Sequence, residues 1–133
     1  MLFRSAGLDN LRCIRIEAAY FLDYLLPPKS VRAIHLYFPD PWPKRKHRHN
    51  RLVNEAFPGK AAAVLQPGGI VWLRTDDRDY FEQMQRVFGA APQFSRIETP
   101  PDLAAVTTDF ERDFNAQGIP TLRAAYQCGD AAS

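Results

Sequence analysis

The stretch YFPDPWPKRKHRHNRL, residues 37–52, gathers side chains that could do chemistry. A carboxylate, Asp40, sits between Pro39 and Pro41, and an indole, Trp42, between Pro41 and Pro43. Proline fixes its own φ and disfavours the helical region for the residue before it, so Phe38, Asp40 and Trp42 are expected in stiff, extended backbone. Alternate side chains of an extended chain share a face, which predicts that Asp40 and Trp42 point the same way. A carboxylate and a flat ring held in this manner would be ready before any ligand arrives. Lys44, Arg45, Lys46, Arg48 and Arg51 follow, with His47 and His49 among them, and no acid falls between Asp40 and Glu55. The plain alternative is a proline-stiffened surface loop running into a solvated basic helix start. The direct juxtaposition of the two features favours the functional reading.

Other candidates carry a structural explanation beside the chemical one. Asp76, in Thr75-Asp76-Asp77, follows the apolar run IVWLR and also suits the N-cap of a helix over 79–88. Thr108 with Glu111 three residues on forms a capping box, which accounts fully for both. Phe110 and Phe114 stand at the spacing of a helix's core face. Trp42 could stack on a base or plug the loop from beneath, and both readings stay open. His35, His47 and His49 have no ligand-like spacing, so no metal site is expected.

The elements that must position these residues alternate in type. Leu11–Ile16 reads as a strand, Ala18–Leu26 as a helix stopped by Pro27-Pro28, and Val31–Phe38 as a strand leading straight into the proline loop. Arg51–Leu65 reads as broadly helical, with Pro58 in the first turn of its second part. Gln66-Pro67-Gly68-Gly69 is expected to stop that helix and turn, before a central parallel strand over 70–74. A helix over 79–88, a weak strand over 94–97, a helix over 108–117 and a last strand over 121–127 complete the pass. This rhythm predicts an α/β fold with a doubly wound, mostly parallel sheet and a late antiparallel strand. Ligands of such sheets sit beyond the carboxyl ends of the strands, where the Asp40 and Asp76 loops fall.

With 133 residues and 46% hydrophobic content, the chain is long and apolar enough for one globular domain. The net charge of +2 says little, but the positive field is local and the remainder is net acidic. Cys13 and Cys128 lack metal spacing and suit free thiols in a reducing cytoplasm. No apolar run reaches membrane-spanning length.

FPDPWPKRKH followed by RL resembles the signature of the bacterial tRNA (guanine-N7)-methyltransferase family. LQPGG, LRTDD and TDFE followed by Gly118 resemble it too, in the family's order, from about Gly7 to Tyr126. The FPDPW element is highly specific; LQPGG is shared by many methyltransferases. The resemblance implies a Rossmann-like class I fold, S-adenosylmethionine as methyl donor and a guanine in the tRNA variable loop as acceptor. It implies that Asp40 is catalytic and touches the donor, and that Lys44, Asp76, Thr108, Asp109, Phe110 and Glu111 meet the substrate. Glu17 falls where the family usually carries an aspartate against the donor's adenine, and is one methylene longer. Arg45, Lys46, Arg48 and Arg51 would hold RNA phosphates. The nucleophile, guanine N7, already carries a lone pair, so no deprotonating residue is required. A carboxylate near the ring would stabilise the positive charge that develops on the purine.

One departure is an absence. The family's Gly-rich E-x-G-x-G loop, which lets backbone approach the donor, has no counterpart here. Residues 1–133 are therefore expected to be a single domain incomplete at its N-terminus, binding donor weakly and inactive alone. An exposed sheet edge would invite self-association. A non-catalytic RNA-binding remnant is the competing reading. A methyltransferase of proteins or small molecules is a third, disfavoured by the basic run.

Overall fold

The computed structural model describes Gly7 and residues 9–129. Helix α1 (Ala18–Tyr20) continues as a π-helical turn over Phe21–Leu25 and ends before Pro27-Pro28. Strand β1 (Val31–Tyr37) feeds the proline loop, and a 3-10 turn (Arg45–Asn50) carries most of the cations. Then come α2 (Phe57–Val64), β2 (Leu65–Thr75), α3 (Arg78–Gly89), β3 (Phe94–Ile97), α4 (Pro101–Ala105), α5 (Asp109–Ala116) and β4 (Leu122–Cys128).

The four strands form one sheet in the order β1-β2-β4-β3. β1 runs parallel to β2, while β4 is antiparallel to both β2 and β3. The architecture is α/β and Rossmann-like, with a mixed sheet in place of the mostly parallel one expected. Side chains alternate across a strand, so Val71, Leu73, Ala124, Tyr126 and Phe94 share one face. They pack there against Phe57 and Ala61 of α2 and Tyr80, Met84, Val87 and Phe88 of α3. Phe88 lies stacked on Tyr126 at 4.7 Å between ring centres and edge-on to Phe94 at 5.1 Å. On the opposite face, α4 and α5 meet the carboxyl end of β2 through Arg74 and the start of β4 through Arg123. His35 is exposed there and Trp72 beside it is half-buried.

Several expectations need correction. Residues 11–16 form no strand: no ladder partner stands beside them among the described residues, and Leu11, Ile14 and Ile16 stay exposed. The helix expected from Arg51 begins only at Phe57, because Arg51 and Val53 are drawn inward by α3. Pro58 does sit in its first turn. Gln66-Pro67-Gly68-Gly69 is no turn between elements but a bulge inside β2. Val31 pairs with Leu65 and Ala33 already with Ile70, so the extra residues loop out. Gly69 lies at the tightest point, where an added Cβ would stand 2.9 Å from the Gln66 carbonyl oxygen and 3.1 Å from that of Arg32.

Candidate active site

The Asp40 loop leaves the carboxyl end of β1, where the Phe38 N–H donates to the Arg74 carbonyl at 2.8 Å. It is stiff but not extended. Phe38 has φ +56° and Trp42 φ +43°, so the prolines exclude the right-handed helical region by sending two residues left-handed. Each such residue costs about 1–3 kcal/mol, and its surroundings must enforce it. Phe38 is gripped by α5, its ring 5.1 Å from Phe110 and 5.3 Å from Phe114. Trp42 is turned by Asp40 itself, whose Oδ1 accepts the Trp42 N–H at 3.0 Å. The expected alternation of Asp40 and Trp42 on one extended face is thus replaced by a tight turn closed by the carboxylate. Asp40 is exposed, and Trp42 is half-buried with its ring edge-on to His47 at 6.0 Å.

The other side of the loop is fastened to α3. Arg51 donates from Nε to the Pro41 carbonyl at 2.6 Å and from its two terminal nitrogens to Gln83 and Asp79, each at 2.8 Å. Its guanidinium also lies over the Tyr80 ring at 4.9 Å. Val53 is held from the same helix, donating to the Tyr80 hydroxyl and accepting from Gln83. Arg51 is 2% exposed, so it is a buried tie and not the phosphate contact expected of it. Its hydrogen bond holds the Asp79 carboxyl below the usual carboxylate range, against the pull of desolvation and with help from Arg48. Arg48 lies 3.5 Å from the same carboxylate. Lys44, Arg45 and Lys46 face solvent with no ion pair among the described residues.

Asp76 emerges exposed from the end of β2, one strand from Asp40. The N-cap role belongs to its neighbour: Asp77 accepts the Tyr80 N–H at 2.8 Å, which leaves Asp76 without a structural task among the described residues. The capping box of Thr108 and Glu111 is present. Asp109 is exposed and pairs with Arg112. Phe110 is 54% exposed, one side of its ring against Phe38.

Glu111 is wholly buried, and both carboxylate oxygens are filled from inside. Oε1 accepts from Arg74 at 2.7 Å and from the Thr108 N–H at 3.1 Å; Oε2 accepts from Thr121 at 3.0 Å and Arg123 at 3.2 Å. A substrate has no open approach to it, so the substrate contact expected of Glu111 gives way to a structural one. Burial alone would raise its pKa, but these hydrogen bonds and the Arg74 charge prevail and hold it below the ordinary value. Arg74, 2% exposed, also donates to the Leu103 and Val106 carbonyls and covers the Tyr37 ring at 4.2 Å.

Glu17, further upstream, caps α1 by accepting the Ala19 and Tyr20 N–H groups at 3.0 and 2.7 Å. Arg74, Tyr80 and Gln83 are residues sequence reasoning missed, and Arg51 is one to which it gives a different role. A signal for burial exists at both arginines: Arg51 adjoins the apolar pair Leu52-Val53, and Arg74 closes the apolar run IVWLR. A cation in such a context is one that folding draws inward with its neighbours.

Residues 3–124 match a family model described as "Putative methyltransferase". The chain belongs to this methyltransferase family. Its curated relatives include proteins named tRNA (guanine-N(7)-)-methyltransferase. That of Alcanivorax borkumensis is 40% identical over 100 residues, covering 75% of this chain and 42% of the relative. That of Halorhodospira halophila is 38% identical over 113 residues, covering 81% and 49%. That of Streptomyces avermitilis is 41% identical over 92 residues, covering 69% and 32%. The chain thus spans less than half the length of these relatives. In this family member the fold brings Asp40, Asp76, Asp109 and Phe110 to the carboxyl end of the parallel strand pair, with the exposed cations alongside. Glu17 enters by a separate element. No helix among the described residues is long and apolar enough to cross a membrane.

Proposed function

We propose that this chain carries part of the active site of a cytoplasmic enzyme that transfers a methyl group from S-adenosylmethionine to N7 of a guanine in the tRNA variable loop. The observation that carries the reading is the pair of exposed carboxylates, Asp40 and Asp76, at the ends of adjacent parallel strands, beside a cationic turn whose Lys44, Arg45 and Lys46 face outward. The names of the relatives support the substrate, and the free thiols Cys13 and Cys128 suit a reducing compartment.

The residues present fit such a donor in kind. Asp40 uses one carboxylate oxygen on Trp42 and keeps the other open among the described residues; Glu17 caps α1 while staying exposed. Both are acceptors suited to the amine and hydroxyl groups of the donor. When bound, S-adenosylmethionine supplies an electrophilic methyl on a sulfonium. Asp40 and Asp76 would accept from guanine N–H groups and offset the charge that grows on the purine. Lys44, Arg45 and Lys46 would hold phosphates, with Arg48 beside them. Phe110 and Trp42 offer ring surface for stacking, worth roughly 1–3 kcal/mol per base where it occurs.

Incubation with labelled donor and an unmodified tRNA transcript, followed by nucleoside analysis, tests the reading. Label in 7-methylguanosine supports it; label only on protein or on another nucleoside overturns it. A second reading, an RNA-binding remnant, is favoured by one observation: the cations stand exposed whether or not a donor site is complete. Calorimetric titration of the chain with S-adenosylmethionine separates the two, since heat of binding excludes the remnant.

A further inference from the structure

We propose that Arg51 is a positioning residue for the Asp40–Trp42 turn, anchored to α3 and acting through the Pro41 carbonyl. This rests on the reading of Asp40 as a reaction-site residue, but the positioning can be tested without activity. The turn holds a left-handed, non-glycine residue at Trp42, which is not an arrangement that free chain keeps. Asp40 can close the turn only from within, through its single bond to the Trp42 N–H. Among the described residues, the one side-chain bond given to the turn's backbone from outside it comes from Arg51, ten residues on, at 2.6 Å to the Pro41 oxygen between those two residues.

The tie is built for rigidity. A guanidinium has planar donors in fixed directions, and here Nε takes the loop while both terminal nitrogens take α3. Gln83 and Asp79 stand one helical turn apart and so bracket the fork from a single helix face. With its side chain 1% exposed, water cannot replace any of these bonds cheaply. Asp79 is the tie's outer anchor, and the same Oδ2 faces Arg48 of the cationic turn. The loop's two roles, presenting a carboxylate and presenting cations, therefore share one fixing point on α3.

The test reads Trp42. In the full chain, Trp72→Phe leaves Trp42 as the sole tryptophan. Acrylamide quenching is then compared for Arg51→Lys, which keeps charge but loses the fork, and for Asp79→Asn, which alters only the half-exposed anchor. Asp23→Asn, in the Asp23–Lys60 pair that joins the π-helical turn after α1 to α2, is the control. Both test variants should raise Trp42 quenching toward that of a solvent-exposed indole, with far-ultraviolet circular dichroism unchanged, while the control leaves it as it was. Unaltered quenching in folded Asp79→Asn and Arg51→Lys overturns the proposal, as does an equal rise in the control. Absence of methyl transfer would count against the role of Asp40 and leave this measurement intact.

Discussion

Glu111 and Asp40 divide the acids of the site into two kinds. Glu111 is buried with every acceptor position answered, whereas Asp40 faces solvent and answers only its own turn. Removing one partner of a buried ion pair leaves the other charge stranded, so Glu111→Ala should lower stability by about 3–5 kcal/mol in urea unfolding. A loss near zero would mean that Arg74 finds other partners. The same carboxyl makes stability depend on pH. Its folded pKa lies below the ordinary 4.5, so its contribution is complete above that value and is lost as pH falls through the depressed folded one. Unfolding midpoints followed from neutral pH into acid should therefore drop below pH 4.5 in the wild type and less in Glu111→Gln. Asp40→Ala is expected to act on chemistry instead. In the active polypeptide, turnover should fall roughly 100-fold with tRNA retardation little changed. Equal turnover would reduce Asp40 to a turn-closing residue.

At the scale of elements, the bulge in β2 and the cationic turn make separate claims. Gly69→Ala would push a methyl against two backbone oxygens, so either the bulge reopens or β1 shifts. A loss of about 1–3 kcal/mol in thermal unfolding is expected, as for other overpacked sites. An unchanged melting curve would show that the β1–β2 register yields freely there. Replacing Lys44, Arg45 and Lys46 together should weaken tRNA binding and flatten its salt dependence by about 0.7–0.9 in log–log slope for each phosphate no longer neutralised. Most of these elements could be read from pattern alone. β3 falls on 94–97 as expected, the capping box is where Thr108 and Glu111 put it, and α3 covers its expected apolar face. The misses share a cause. LRCIRI has the alternation of a strand but no ladder partner among the described residues, and alternation specifies a face without supplying a partner. The bulge at 66–69 is set by the register between two strands, which no local signal encodes. The burial of Arg51 depends on Gln83 and Asp79, some thirty residues away in sequence.

At the scale of the molecule, the sheet ends on β1, whose outer edge pairs with no strand among the described residues. Tyr20, Tyr24 and Leu25 of α1 and its π-helical turn are exposed as well. An unpaired edge of this kind recruits other strands, and we expect the chain to self-associate in sedimentation as concentration rises. Ala33→Lys, on the exposed part of β1, should shift the distribution toward monomer. A wild-type monomer across the range would exclude the edge as a point of association. The clamp on the cationic turn has a different consequence. Pro41 is tied to Arg51, and Arg51 is fixed to α3, so the chain between Pro41 and Arg51 begins and ends at set points. Such a segment can change composition, and even length, at little entropic cost and without disturbing its frame. Natural variation could therefore retune which RNA surface the turn greets while the carboxylate next door keeps its place, so that recognition and reactivity drift as separate heritable traits.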